Sequence, residues 1–127
     1  MRSVAPERSA PHRGGRPVLA GTGVEAVGLD LVAGEAPAAD ELALLGGKTV
    51  VAGVVSGRNI WRTDLEAALT ELEALRDALP TGTPVVVGTS TSLQHVPHDA
   101  ARETSLPADI RSWLAFADQK VGEVITL

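Results

Sequence analysis

The chain has 127 residues, 44% of them hydrophobic and 21% charged, and its net charge at pH 7 is −5. This length suits a single domain, and this composition is that of a globular rather than a disordered protein. The negative charge argues against nucleic acid as a partner, because a phosphate-binding surface needs clustered Lys and Arg. The absence of Cys excludes disulfides, thiolate catalysis and a Cys-based zinc site within this chain. Since no apolar run approaches the roughly 20 residues of a membrane helix, we expect no membrane partner and a cytoplasmic location.

Residues 1–20 differ in composition from the rest of the chain and predict a flexible basic tail. They begin MRSVAPERSAPHRGGRP, in which Pro, Gly, Ser and Arg occur without periodicity. An organelle transit peptide is similarly rich in Arg, but this stretch shows no amphipathic period, and it lacks the apolar region of a secretory signal. We therefore expect the folded domain in residues 21–127.

The first predicted strand, 24–31, lies in GVEAVGLDLV, which is a nearly continuous apolar run. A short helix is predicted in PAADELALLGG (37–47), with Pro37 suited to its first turn and Gly46 to the position after its end. The second strand is predicted at 49–55, within KTVVAGVVSG.

The clearest predicted helix covers residues 63–79. Thr63 and Glu66 have the spacing of a capping box, and Pro80 ends the pattern. Four leucines repeat at helical spacing: Leu65, Leu69, Leu72 and Leu75. A third strand is predicted at 84–89. A last helix is predicted at 107–126, with an apolar stripe of Ile110, Trp113, Leu114, Ala117, Val121 and Val124.

The alternation of these elements predicts an α/β fold of three βα units with parallel strands. The second and third strands are apolar on both faces, as parallel strands covered by helices are, and the crossover helices imply right-handed βαβ units. Both TIM barrels and open doubly wound sheets are built this way. The sequence has no G-x-G-x-x-G after a strand and no Walker A motif to favour the doubly wound sheet.

Polar residues follow each predicted strand, at the end where such folds bind ligands. Asp30 lies near the end of the first strand, and VVSGRNIWR (54–62) follows from the second. There Arg58 offers a fork for a carboxylate or phosphate, Asn59 an amide and Trp61 a flat surface for a ring. The alternative is that Trp61 seats the start of the next helix while the arginines are solvated or paired. We expect the Trp61 side chain to fill a core site beneath the loop, and Arg58 to be the residue that makes ligand or barrel contacts.

The third strand is followed by TSTSLQHVPHD (89–99), which adds Ser90 and His95 to the candidates. No G-x-S-x-G frame surrounds the serines, so the stretch is not a nucleophile elbow. A metal site of His95, His98 and Asp99 is a further possibility, but ordinary polar loop residues that cap backbone groups are the simpler interpretation.

Three stretches carry a family resemblance in their order and spacing: GRNIWR at 57–62, S-x-S-L-x-H-x-P at 90–97 and RSWLAFA-x-x-K at 111–120. Together they resemble consecutive blocks of the N-terminal barrel of cobalamin-independent methionine synthase. The resemblance covers residues 23–127. It implies that residues 21–127 form part of a (βα)₈ TIM barrel, with about three consecutive βα units.

The resemblance also implies an activity, although not for this chain alone. Members of the family move the methyl group of polyglutamylated 5-methyltetrahydrofolate to the sulfur of homocysteine, giving methionine, and hold zinc in a C-terminal barrel through His, Cys and Glu. That barrel is not in this sequence. The resemblance therefore implies no catalytic residue, no metal ligand and no cofactor here. We call the loops at the carboxyl ends of the strands the ligand-side rim. The candidates for it remain Arg58, Asn59, Trp61, Ser90 and His95.

Two functions are open. The chain is either a fragment or split piece of the methyltransferase, inactive alone, or a stand-alone binding protein derived from the same barrel and without catalysis. Three βα units cannot close a barrel of eight, so at least one sheet edge should be open. The expected partners are the remainder of the enzyme or a second copy of the chain, with folate and homocysteine bound in the complete enzyme.

Overall fold

The computed structural model describes residues 4–6 and 15–127, which contain one parallel sheet. Its four strands are β1 (Val4–Pro6), β2 (Ala26–Asp30), β3 (Thr49–Val55) and β4 (Val85–Thr89). They lie in the order β1-β2-β3-β4, and every neighbouring pair is parallel. The three predicted strands and their parallel arrangement are therefore confirmed, and β1 is an additional strand.

The helices connect the strands in the βα order that the sequence predicts. They are α1 (Gly15–Ala20), α2 (Ala39–Ala43), α3 (Leu65–Ala78), α4 (Ala108–Ser112) and α5 (Ala117–Thr126), with single 3₁₀ turns at Leu93–His95 and Ala100–Arg102. In the described part of the chain, no helix combines the length and apolar character that crossing a membrane requires.

The consecutive strand order distinguishes between the two architectures that the sequence left open. A doubly wound sheet reverses its strand order at a switch point, and none of the four described strands does so. Each new strand instead adds to the same side of the sheet, as in a (βα)₈ barrel. The sheet is an open segment consistent with part of such a barrel.

Two short elements lie within residues 1–20, the stretch that the sequence predicts to be a flexible tail. Val4–Pro6 pairs with β2, and Gly15–Ala20 forms α1. Local composition did not indicate these elements, because a three-residue strand takes its stability from its neighbour rather than from its own sequence. Residues 1–3 and 7–14 lie outside the described residues, so flexibility there stays a prediction.

One face of the sheet carries the hydrophobic core. On this face Val27 pairs with Val50 and Leu29 with Ala52, and all four side chains are buried. The helical side of the core is built by Leu42, Leu45, Ala68, Leu72, Leu75 and Leu79. Burying each large aliphatic side chain contributes roughly 1.5–3 kcal/mol, so this layer stabilises the packing of the helices on the sheet.

The opposite face of the sheet is only partly covered. Val51 is half-buried there, and its neighbour in the register, Val86, is 49% exposed. A cavity opens on this face near the amino ends of the strands, lined by Val24, Glu25, Ala26, Gly47, Thr49, Val51 and Val86. In a closed barrel this face would be the interior.

The last predicted helix, 107–126, is wrong as a single element. It is interrupted between α4 and α5, where Leu114 pairs with Trp61 in an antiparallel bridge. Ala115 N–H donates to the carbonyl oxygen of Ile60 at 2.8 Å, so its backbone bonds to another segment instead of continuing the helix. The predicted stripe is broken accordingly, and Trp113 is 60% exposed.

The predicted capping box at the start of α3 is also wrong. The N-cap is Asp64, whose carboxylate accepts the N–H of Ala67 at 3.0 Å. Thr63 instead contacts Glu123 of α5, which accepts its N–H at 3.0 Å and its hydroxyl at 2.8 Å. A contact across 60 residues of sequence therefore replaces the local pair with Glu66.

The short helix α2 lies where a helix was expected, but its caps differ. Its N-cap is Ala38, so Pro37 precedes the helix instead of occupying its first turn. Its C-cap is Leu44, which places Gly46 beyond the C′ position. The left-handed backbone that this turn requires is at Gly47, with φ +82°.

Candidate functional site at the carboxyl ends of the strands

Buried polar groups shape the loops that leave the carboxyl ends of β2 and β3. Asp30 is 6% exposed, and its Oδ1 accepts the N–H groups of Val32 at 3.0 Å and Ala33 at 2.9 Å. Ser56 is buried at the end of β3. Because each side chain satisfies backbone groups at the strand end, these residues organise the loops of the rim.

The hydroxyl of Ser56 fixes the first turn of the loop that was predicted to bind ligand. Its Oγ accepts the N–H groups of Arg58 and Asn59, both at 3.2 Å. The neighbouring loop joins this turn through Ser90, whose Oγ accepts the N–H of Gly57 at 3.3 Å and whose own N–H donates to Val55 at 2.7 Å. Ser90 is thus brought to the loop of Arg58, and the rims after β3 and β4 form one surface.

The second half of the loop is held by a residue that the sequence did not single out. Asn59 Oδ1 accepts the N–H of Trp61 at 3.2 Å and also the ammonium of Lys120 at 3.2 Å. The same ammonium donates to the carbonyl oxygen of Trp61 at 3.1 Å. Lys120 lies on α5 and is fully buried. Burial lowers the pKa of its ammonium, and the nearby Glu123 carboxylate opposes that shift.

The sequence carries only a weak signal for the burial of Lys120. It follows Ala117 by three residues and precedes Val124 by four, so it falls on the inner face of the last helix. Lys is almost never fully buried unless it is paired, and the acceptors that pair with it come from another segment. Without the fold, the lysine reads as a solvated residue beside an apolar stripe.

The Trp61 side chain does not fill a core site beneath the loop, so that prediction is wrong. Its side chain is 52% exposed. The position beneath the loop is occupied by residues of the 113–123 segment, including Leu114 and Lys120, which are buried. The indole therefore lies at the surface of the rim, and removing it would leave no core cavity of the kind that makes Trp substitutions costly. Arg58 and Asn59 are likewise exposed.

His95 lies apart from this arrangement. It is exposed in the 3₁₀ turn Leu93–His95, and its Nε2 is 3.5 Å from Nε2 of the adjacent Gln94. This contact is confined to the turn, whereas Ser90 contacts the loop of Arg58 directly. The structure thus joins four of the five candidates in neighbouring loops and leaves His95 on a separate turn.

The residues after this turn anchor the second 3₁₀ turn to α5. Asp99 accepts from Gln119 Nε2 at 2.8 Å and from the N–H of Ala101 at 2.9 Å. The hydrogen bond from Gln119 is the main cause that lowers the pKa of the Asp99 carboxyl. His98 Nε2 lies 3.7 Å from an oxygen of Asp118, and both side chains are exposed. Asp99 and His98 therefore contact different residues of α5, Gln119 and Asp118 respectively.

These donors do not fit a metal site. Within residues 4–6 and 15–127, no three His, Cys, Asp or Glu side chains form a group that could hold a metal ion. The zinc that the family resemblance implies has no matching ligand set in this part of the chain. The polar and aromatic residues at the rim are Arg58 and Asn59, which are exposed, the half-exposed Trp61 and the hydroxyl groups of Ser56 and Ser90.

Comparisons with known proteins agree with the resemblance. Residues 14–80, more than half of the chain, match the family described as cobalamin-independent synthase, N-terminal domain. The chain is 53% identical over 111 residues to the 5-methyltetrahydropteroyltriglutamate–homocysteine methyltransferase of Mycobacterium tuberculosis. The enzymes of the same name from Mycobacterium leprae and Rhodococcus jostii are 50% identical over 109 residues and 53% identical over 114 residues.

These alignments cover 86–87% of this chain but only 14% of each relative. The chain therefore spans about one-seventh of the length of the relatives it matches. The sheet topology, the rim sequence and the match over residues 14–80 all point to the same family. The chain belongs to the cobalamin-independent methionine synthase family and matches the N-terminal domain of that family.

Proposed function

We propose that this chain forms part of the N-terminal domain of a methyltransferase that makes methionine from homocysteine and 5-methyltetrahydropteroyltriglutamate. The observation that carries the proposal is 53% identity, over 87% of this chain, to proteins whose names give those two substrates. The chain covers 14% of those proteins. We therefore propose that methyl transfer requires the parts of the enzyme that this chain does not match.

The proposed contribution of the chain is a binding rim, not a reacting group. Arg58 is the proposed ligand-contacting residue, because an exposed guanidinium can hold a carboxylate of the triglutamate in a bidentate pair. Trp61 presents a half-exposed indole that a ring can contact. Asn59 uses its Oδ1 for Lys120 and Trp61, so its amide N–H groups are the proposed ligand donors. Ser90 is proposed to support this loop.

His95 is the remaining rim candidate, proposed as a contact at the periphery because its turn is exposed. Zinc is proposed to be held outside this chain, since the described residues offer no ligand set for it. The proposed partners are the remaining parts of the enzyme, which would complete the barrel beside the open sheet.

The purified chain is expected to form no methionine from 5-methyltetrahydropteroyltriglutamate and homocysteine. The reason is that the rim supplies binding groups but no ligand set for the thiolate-activating metal. The measurement is methionine formation by mass spectrometry, alongside calorimetric titration of the chain with the folate. Methionine formed by the chain alone would contradict the proposal, and tight folate binding without transfer would favour a stand-alone binding protein.

Arg58→Ala is expected to raise the KM for the folate by roughly tenfold, because the substitution removes a charge-assisted hydrogen bond to the ligand. The measurement uses a chimera in which this chain replaces the matched segment of the Mycobacterium tuberculosis methyltransferase. The melting temperature should stay nearly unchanged, because Arg58 is exposed.

Arg76→Ala in the same chimera is the matched control. Arg76 is an exposed arginine on α3 whose guanidinium pairs with the adjacent Asp77 at 3.2 Å. Its replacement should change neither KM nor the melting temperature. If Arg58→Ala gave wild-type kinetics for both substrates, Arg58 would have no role in binding.

A further inference from the structure

Lys120 is a fully buried cation at a position that the proposed chemistry does not use. Burying an ammonium costs free energy unless hydrogen bonds compensate for the lost hydration. Its ammonium donates to Asn59 Oδ1 at 3.2 Å and to the carbonyl oxygen of Trp61 at 3.1 Å. Both belong to one turn of the rim, so these two hydrogen bonds join the buried charge to that turn.

The turn formed by residues 59–61 is closed around the same acceptor. Asn59 Oδ1 also accepts the N–H of Trp61 at 3.2 Å. Lys120 therefore holds both the Asn59 side chain, which closes the turn, and the carbonyl group of Trp61, at its end. Any rotation of Asn59 away from this position would break both hydrogen bonds of its Oδ1.

The segments on either side of this turn have their own anchors. Before it, the hydroxyl of Ser56 holds the N–H groups of Arg58 and Asn59. After it, Arg62 N–H donates to Trp113 at 2.9 Å, and Glu123 accepts from Thr63. Ile60, in the middle of the turn, is also held, because its carbonyl oxygen accepts the N–H of Ala115 at 2.8 Å. Loss of the lysine ammonium should therefore loosen Asn59 and Trp61 locally while Ile60 and the flanking strand and helices keep their contacts.

We infer that Lys120 is a positioning residue for the rim. Its two hydrogen bonds fix Asn59 and Trp61, the two ends of the turn, and thereby the place of the Trp61 indole beside Arg58 on the exposed surface. The inference rests on the proposed function only for what binds there. Lys120 itself, being buried, touches no ligand.

The absence of Cys from the chain permits a chemical test of this role. Lys120→Cys would be alkylated in the unfolded state with 2-bromoethylamine, which restores an ammonium on a side chain of lysine length, and then refolded. The matched control is the same variant alkylated with 1-bromopropane, which gives a neutral side chain of the same length. The two forms differ only in the terminal group.

The readout is hydrogen exchange of individual backbone amides, followed by NMR. In the propyl form the exchange rate of the Trp61 amide should rise by about tenfold, the worth of one hydrogen bond to a charged group. The aminoethyl form should restore the slow rate, and the amides of β3 should be unchanged in both. Equal Trp61 exchange in the two forms would overturn the inference. So would a uniform rise across β3, which would leave Lys120 with a general structural role.

If the propyl form does not fold, the unmodified chain decides the matter. A nuclear Overhauser contact between the Lys120 ammonium and the Asn59 side-chain amide is expected, and its absence would overturn the inference. No substrate enters these measurements. Their failure would therefore remove the positioning role and leave the proposed function standing, whereas an inactive chimera would do the reverse.

Discussion

Gly57→Ala is expected to lower the free energy of unfolding by about 3 kcal/mol, through overpacking against main-chain atoms that cannot rotate away. Gly57 is buried where β3 leads into the rim. A methyl group added there would overlap the carbonyl oxygen of Thr91 and lie 2.8 Å from its carbonyl carbon. The loops after β3 and β4 would have to separate, which would also lengthen the bond from Gly57 N–H to Ser90. Urea unfolding measures the change.

Gly122→Ala is the matched control for this substitution. Gly122 is exposed on α5, and nothing lies within 4 Å of the position its methyl group would take. Alanine should there raise the free energy of unfolding by up to about 1 kcal/mol, because it is the better helix former. If Gly57→Ala were as stable as the unmodified chain, the close approach of the two rim loops would not exist in solution.

Leu45→Ala is expected to cost about 3 kcal/mol of unfolding free energy, the usual loss when a buried leucine leaves a cavity. Leu45 is 1% exposed and belongs to the core beneath the sheet, directly after α2. The cluster around it consists of buried aliphatic side chains, so truncating Leu45 is expected to leave a cavity there. Thermal and urea unfolding report the change.

The neighbouring leucine provides the control. Leu44 is 52% exposed, so Leu44→Ala should change the free energy of unfolding by no more than about 0.5 kcal/mol. A comparable loss for both substitutions would mean that α2 does not turn Leu45 toward the sheet, and would contradict the core described above.

The sheet was predictable because its signals are local. Apolar runs such as those around Val50 and Val87 are long enough to predict a strand. A helix between two such strands indicates that they are parallel, because parallel strands need a crossover connection. The order of the strands was not predictable from these runs. Pairing between strands depends on contacts that are distant in sequence, and only the described topology distinguished the barrel segment from a doubly wound sheet.

The helix at 107–126 shows where local reasoning failed. Its apolar spacing is helical throughout, yet the chain leaves the helix at Trp113 to bond with the rim. Two backbone hydrogen bonds to residues 60–62 and the burial of Leu114 override the helix propensity of a few residues, which is worth only tenths of a kcal/mol each. The same tertiary competition moved Thr63 from its predicted cap to Glu123.

The candidate site was predicted in outline and not in its support. Polar residues after two strands located the rim, because the carboxyl ends of parallel strands meet at one edge. The exposure of Trp61 and the burial of Lys120 were both missed. Side-chain chemistry suggests the reverse for each, and only the hydrogen bonds from Lys120 to the turn explain why the cation is inside.

The central claim is that this chain can do the work of the corresponding segment of the methyltransferase. The most direct measurement is the rate of methionine formation by the chimera that carries this chain in the Mycobacterium tuberculosis enzyme, from homocysteine and 5-methyltetrahydropteroyltriglutamate. We expect the chimera to form methionine, and the same enzyme with the segment deleted to form none. A chimera that folds, shown by circular dichroism and a cooperative melting transition, but forms no methionine would contradict the account.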